Sequence, residues 1–292
     1  MPLEKLNNIS DRNKGIMFII LSAFGFAMMS AFVKLAGDLP SFQKTFFRNL
    51  VSCVIAFAFI VKYKESFFGA KENRKILVLR SIFGTLGILL NYYAIDRLVL
   101  SDANMLNKLS PFFVIIFSAI FLKEKIKSNQ AIAVAIAFIG ALFIIKPSFD
   151  FEMIPSMAGI MGAIFAASAY TCLRVLGGKE KFYTVVFFFS LFSIVTILPI
   201  TILVYKEMSL VQLGYLILAG IFASIGQFGV TLAYKYAPAK EISIFDYSNI
   251  IFSAIISIII FNTIPDAYSF IGYIIIFSAS YYMFLYNKKA NN

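Results

Sequence analysis

Asn104, Asn107, Lys108 and Pro111 recur at i, i+3, i+4 and i+7 within one apolar run. That spacing sets two carboxamides, an ammonium and a helix breaker on one helical face. A later run carries Ser243, Asp246 and Tyr247 at i, i+3 and i+4. Gln227, Thr231 and Tyr234 share a face in another run, Asn91 lies on the face of Gly84 and Gly87, and Lys44, Arg48 and Ser52 are spaced by four. Polar groups in such surroundings are expensive and mark sites. The chemistry they offer is recognition. Lys108 and Arg48 can attract a carboxylate or another anionic group, and Asp246 can attract an ammonium or hold a proton. Asn91, Asn104, Asn107 and Gln227 can orient a ligand by hydrogen bonds, with Tyr170, Tyr234 and Tyr247 as aromatic walls. Opposite charges in one cavity suit a zwitterion such as an amino acid or its derivative.

The elements that hold these residues follow from composition. The chain has 292 residues, 60% of them hydrophobic and only 14% charged, against about a quarter charged in soluble domains. Apolar runs of about 18 residues or more fill most of its length, each able to cross ~30 Å of hydrocarbon as a helix. Lipid offers the backbone no hydrogen bonds, so these runs are helices. Ten spans are expected, at about 15–34, 43–61, 76–96, 103–122, 130–146, 156–175, 182–204, 211–234, 242–261 and 267–286. The fold class is therefore an all-α polytopic membrane protein. Residues 1–14 form a polar tail, and the first span lacks a small-residue cleavage site, so it reads as a retained helix.

With the N-terminus in the cytoplasm, 19 of the 26 Lys and Arg fall on the cytoplasmic side, Arg80 and Arg174 among them. The outer side receives Lys34, Lys44, Arg48, Arg97, Lys108, Lys146 and Lys206. The positive-inside bias then puts both termini in the cytoplasm. The net charge of +11 fits loops beside anionic lipid and does not require nucleic acid. The phenylalanine-rich, tryptophan-free composition suggests an AT-rich bacterial genome and a cytoplasmic membrane. With no histidine and two cysteines, Cys53 and Cys172, no structural zinc site can be built. Buried reduced thiols are the expected state of those cysteines. No phosphate-binding loop motif occurs, so no ATP-driven motor and no cofactor is expected.

The chain also repeats itself. Residues Gly84 to Phe121 overlay Ala223 to Ile260 without a gap at an offset of 139, placing Gly87 on Gly226, Ala94 on Ala233, Asp102 on Glu241, Asn107 on Asp246 and Lys108 on Tyr247. Gly15-Ile16-Met17 falls more loosely on Gly159-Ile160-Met161. Ten spans in two copies give five-helix repeats, 15–146 and 156–286, and an odd number per copy requires the second to be inverted. Gly84, Gly87, Gly226 and Gly229 read as close-packing positions. In the antiparallel fourth and ninth spans, Lys108 and Asp246 are expected near opposite mouths of a shared cavity, with a direct ion pair disfavoured. Lys34 reads as an interface anchor. Pro111 deletes a backbone hydrogen bond at a cost of ~3 kcal/mol and suits a hinge, one-sided because its counterpart is Ile250.

Ala103, Leu106, Leu109 and Pro111, then Phe121-Leu122-Lys123-Glu124-Lys125 and a helix ending Ile139-Gly140-Ala141, together with Phe47-Arg48, resemble the drug/metabolite transporter superfamily, specifically its EamA-type carriers. The resemblance covers nearly the whole chain. It implies ten helices, cytoplasmic termini, a central cavity lined by helices of both halves, and secondary transport of a small metabolite, often export, without ATP. The second copy reads Phe261-Asn262-Thr263 where the first has Glu124, so Glu124 reads as a cap or loop contact. Transport by alternating access is the leading expectation, by a monomer or homodimer, with Asp246 and Glu241 as the candidate sites for proton coupling. A membrane-embedded enzyme and a non-transporting receptor are the alternatives. Few intramembrane carboxylates disfavour the enzyme, and the doubled polar face disfavours the receptor.

Overall fold

A computed structural model describes residues 10–122, 128–146, 153–176, 179–237 and 243–289. Glu124 and Glu241 lie outside the described residues, as do the side chains of Thr231, Tyr234 and Ser243. The described elements are helical, and no strand occurs among them. In chain order they are α1 (Asp11–Leu35), α2 (Ser41–Tyr63), α3 (Arg74–Arg97), α4 (Leu100–Asn107), α5 (Ser110–Leu122) and α6 (Ser128–Ile145). There follow α7 (Ile154–Leu176), α8 (Phe182–Leu203), α9 (Leu210–Tyr236), α10 (Ser248–Phe261) and α11 (Ala267–Lys289). Among the described residues, nine stretches are long and apolar enough to cross a membrane, and the shorter apolar helix Phe245–Phe261 takes the tenth place. Both cysteines are free thiols.

Two of the spans are broken. The fourth stops at Asn107 and resumes at Ser110. Pro111 cannot donate to the Asn107 carbonyl and its ring crowds that group. The chain tightens there instead, with Lys108 N donating to Met105 O (3.0 Å) and Leu109 N to Leu106 O (3.1 Å). The ninth span opens as a 3-10 turn, Ser243–Tyr247, before α10 begins. At the offset of 139, Lys108–Leu109 falls on Tyr247–Ser248, where the second copy passes from a 3-10 turn into an α-helix with its dihedrals still helical. Both copies are thus irregular at this register, and the proline accounts for the first only.

Helix pairing is reciprocal. α1 packs on α9 and α3 on α7, while α2 meets α8 and α6 meets α11. Each pair runs antiparallel. Phe18 stacks on Tyr236 at one end of α1–α9 and Phe32 meets Tyr215 toward the other. Along α2–α8, Asn49 meets Ser193 and Tyr63 meets Tyr183. The α1–α9 and α3–α7 crossings depend on glycine. A Cβ on Gly25 would stand 2.8 Å from the Gly226 nitrogen, and one on Gly87 3.3 Å from the Gly162 carbonyl. Gly84 and Gly229 are equally tight, against Phe189 and against Phe18 and Ser22. Across the α1–α9 seam Ser22 donates to Gly226 O (2.7 Å), and from α10 Asn249 donates to Ala23 O on α1 (2.9 Å).

The helix ends are tied by side chains. Gln43 and Lys206 exchange two hydrogen bonds (2.9 and 3.0 Å), and Gln212, which also completes a capping box with Ser209, donates to Ala36 O. At the opposite end of α2, Glu180 accepts from Ala70 N and Asn73 Nδ2. Gly25→Val is expected to lower the melting temperature of the detergent-solubilised protein, because overpacking costs ~1–3 kcal/mol where backbone blocks relaxation. Gly214→Ala, with nothing within 4 Å of the new methyl, is expected to leave it unchanged or raise it.

Candidate functional site

The two breaks face one another, and the polar residues gather there. Lys108 Nζ forms an ion pair with Asp246, both side chains being largely shielded from solvent. This overturns the expected separation to opposite mouths. The fourth span starts at Leu100, not 103, so Lys108 lies eight residues in, about 12 Å along the helix and closer to mid-membrane. From that depth the long lysine side chain reaches its partner. Tyr247 hydrogen-bonds Ser280, and its hydroxyl donates weakly to the Lys108 carbonyl (3.5 Å) beside the break. Lys108 and Tyr247, superimposed by the repeat, therefore touch.

Asn104 Nδ2 donates to Ser253 (2.8 Å) while its carbonyl accepts from Ser30 (3.2 Å). One buried carboxamide thus links α1, α4 and α10. Asn107 donates to Asn91 at 3.4 Å, joining α4 to α3. Tyr170 on α7 is half exposed and within electrostatic reach of Asp246, Arg80 and Arg48.

A second polar group lies between α2, α3, α8 and α9. Arg48, Arg80, Ser52, Ser190, Ser224 and Gln227 surround a cavity of about 10 Å³, closed by Val186, Phe189 and Phe228, with room for about one water. Arg48 donates to Asn49 Oδ1 (2.6 Å) and approaches the Met29 sulfur (3.9 Å). The Tyr92 hydroxyl lies beside Arg48 without meeting hydrogen-bond geometry. Arg80 is buried in α3 with its guanidinium 3.9 Å from the centre of the Phe189 ring. The charge count, which sends Arg80 to the cytoplasmic surface, is corrected here. Its signal was present in the sequence: Arg80, Gly84, Gly87 and Asn91 form one i, i+4, i+7, i+11 stripe.

A third group closes the end of the bundle where α1 meets α2 and α3 meets α4. Lys44, fully buried, pairs with Asp96. Lys34 donates to Leu98 O at the end of α3 and lies over the Phe261 ring. It tethers the last turn of α1 to the end of α3. Asp102 accepts from Tyr273. Asp96, Asp102 and Tyr273 were not singled out as site residues, since acidic side chains at span ends read as boundary charges. A larger hollow of about 400 Å³ opens at the surface beside Leu142, Phe143, Lys146 and Tyr268 and shares no residue with these groups. Among the described residues, no His, Cys, Asp or Glu cluster could hold a metal ion.

Comparison with known proteins bears on the whole chain. The EamA-like transporter family matches twice, over residues 13–146 and 153–285. The chain is 29% identical to the pseudopaline exporter of Pseudomonas aeruginosa over 268 residues, covering 90% of this chain and 93% of that protein. It is 30% identical to human solute carrier family 35 member G1, covering 86% and 73%. To an S-adenosylmethionine uptake transporter of Rickettsia bellii it is 24% identical, covering 94% and 95%. One solved crystal structure shares the fold with a TM-score of 0.69 at 13% identity, covering 96% of this chain and 99% of that one.

Lys108→Gln and Asp246→Asn are each expected to destabilise the protein by stranding the other charge, while the double variant recovers part of the loss. A double-mutant cycle on thermal unfolding should return a coupling of about 0.5–3 kcal/mol. A coupling of zero would mean the two charges act independently.

Proposed function

The chain belongs to the EamA-like transporter family, and we propose that it carries a small polar metabolite across the membrane by alternating access, in the direction of export. It is a multi-pass membrane protein whose relatives are transporters of small molecules. The observation that carries the mechanistic reading is the Lys108–Asp246 ion pair at two helix breaks occupying the same repeat position. An ion pair at such a junction can exchange its internal partner for the charges of a ligand. A zwitterion of the amino-acid type offers a carboxylate to Lys108 or Arg48 and an ammonium to Asp246. Asn91, Asn104, Asn107 and Gln227 then orient it, with Tyr170, Tyr234 and Tyr247 as walls.

Five-helix copies spanning 15–146 and 156–286, inverted relative to one another, give the two access states. The reciprocal pairing of α1 with α9 and α3 with α7, and the antiparallel run of α2 against α8, support that arrangement. The breaks at Lys108–Leu109, beside Pro111, and at Tyr247–Ser248 are the bending points. The Lys34, Lys44, Asp96 and Asp102 cluster is a closed gate on the side that the basic residues assign to the exterior. Both termini then lie in the cytoplasm of a bacterial cell. Asp246 is the candidate proton site, free to take a proton when Lys108 turns to the ligand. A single chain supplies both halves of the pathway, which supports a functional monomer. Relatives act in both senses, one as an exporter and one as an uptake transporter; export follows the relative of higher identity.

The test compares metabolites inside and outside cells expressing the wild-type chain, Asp246→Asn, or neither, by untargeted mass spectrometry. One compound class should move outward with the wild type and return to the empty-cell level with the variant. Identical profiles for wild type and variant, both distinct from empty cells, would remove Asp246 from the pathway. No difference among all three in cells that make the protein would sink the carrier reading.

A further inference from the structure

The polar groups inside the bundle carry an imbalance of charge. Asp246 is already held by Lys108, and Asp96, at the bundle end, by Lys44. Arg48 and Arg80 are 4% and 8% exposed, and neither is ion-paired among the described residues. Nε of Arg48, and Nε and Nη1 of Arg80, are buried with no hydrogen-bond partner. Arg48 and Arg80 nonetheless line the same small cavity, beside Ser190, whose buried hydroxyl has no hydrogen-bond partner and can donate one.

An unpaired buried cation is costly and is normally paired or removed. Two guanidiniums converging on one cavity, with nitrogens left open, are a preformed receptor for an oxyanion, because their planar forks match carboxylate and phosphate oxygens. We propose that Arg48 and Arg80 together bind an oxyanion group of the transported molecule, so that the substrate carries net negative charge. In chemical class it carries, beyond the charges of the zwitterion above, a second carboxylate or a phosphate ester. This rests on the carrier reading above and assigns the anion to a different pair from Lys108, which Asp246 already neutralises.

The cavity as seen admits about one water, so the anion requires an opening. Phe189 provides it. The ring covers the face of the Arg80 guanidinium and fills the notch left by Gly84, where a Cβ would meet it at 2.9 Å. Displacing this one ring would uncover the face of Arg80 and widen the cavity. Tyr170 lies within electrostatic reach of both arginines and of Asp246.

The experiment uses the full chain in phosphatidylcholine nanodiscs and measures thermal stability at constant ionic strength. The added probes are succinate, inorganic phosphate, the monoanion butyrate and the zwitterion glycine. Succinate or phosphate should raise the melting temperature at millimolar concentration, with butyrate and glycine far weaker. Arg80→Gln should weaken the binding of the effective probe by tenfold or more, the loss typical of one charge-assisted hydrogen bond, and Arg80→Lys by less. No stabilisation of the wild type by either dianion overturns the proposal, whether or not the glutamine variant folds. Equal affinity of wild type and Arg80→Gln overturns it as well. Repeating the assay with phosphatidylglycerol distinguishes a lipid source: if that lipid alone stabilises the protein and abolishes the succinate or phosphate effect, the site takes a headgroup and the substrate assignment falls. Export that is lost in Asp246→Asn but unchanged in Arg80→Gln would leave the carrier reading intact and remove the anion site. Dianion binding without any metabolite flux in cells would do the reverse.

Discussion

An ionised side chain in hydrocarbon must find a partner, and this requirement organises the protein. Each uncompensated buried charge costs several kcal/mol after relaxation, so Lys44 meets Asp96 and Lys108 meets Asp246 across helices distant in sequence. These pairs fix which helix faces turn inward. They also draw together segments whose apolar surfaces would pack as well against lipid. Arg48 and Arg80 are the informative exceptions, because their charges are retained without a protein counter-ion among the described residues.

The second constraint is the backbone's own polarity. Helices satisfy it internally, so a break in a membrane helix is tolerated only where other groups cover it. Both breaks lie at the polar centre of the molecule, where the Tyr247 hydroxyl reaches the Lys108 carbonyl and Asn104 ties α4 to α1 and α10. Close approach at the glycine crossings brings these segments within side-chain reach. Gly25 against Gly226 and Gly87 against Gly162 let backbones approach at a distance no larger residue permits. Packing, charge pairing and irregular backbone therefore depend on one another: loosening a crossing would separate the partners that make the breaks tolerable.

Electrostatics then divides the molecule along its length. One end is closed by Lys34, Lys44, Asp96, Asp102 and Tyr273, a group whose charges are nearly balanced. Between the ends lie the Lys108–Asp246 pair and two guanidiniums without an ion-pair partner among the described residues.

The amino-acid sequence by itself determined the class, the number of spans and the repeat, because these depend on local quantities. Hydrocarbon thickness sets run length, and an ungapped overlay needs no structure. It also picked out Lys108, Asp246, Asn104 and Asn107, since a polar residue within an apolar run is visible to inspection. Tertiary structure decided which of them meet. Lys108 and Asp246 were expected apart because depth was counted along unbroken helices, whereas the fourth span starts three residues earlier and both spans break. Arg80 was assigned only to the cytoplasmic side of its span, because a basic residue seven positions into α3 looks like an interface residue until α8 covers it with Phe189. Asp96 was hidden for the same reason, as its partner is 52 residues away. Depth and pairing are properties of the assembled bundle. A linear reading can state that a charge needs a partner, but only the packing of helices selects which one it receives.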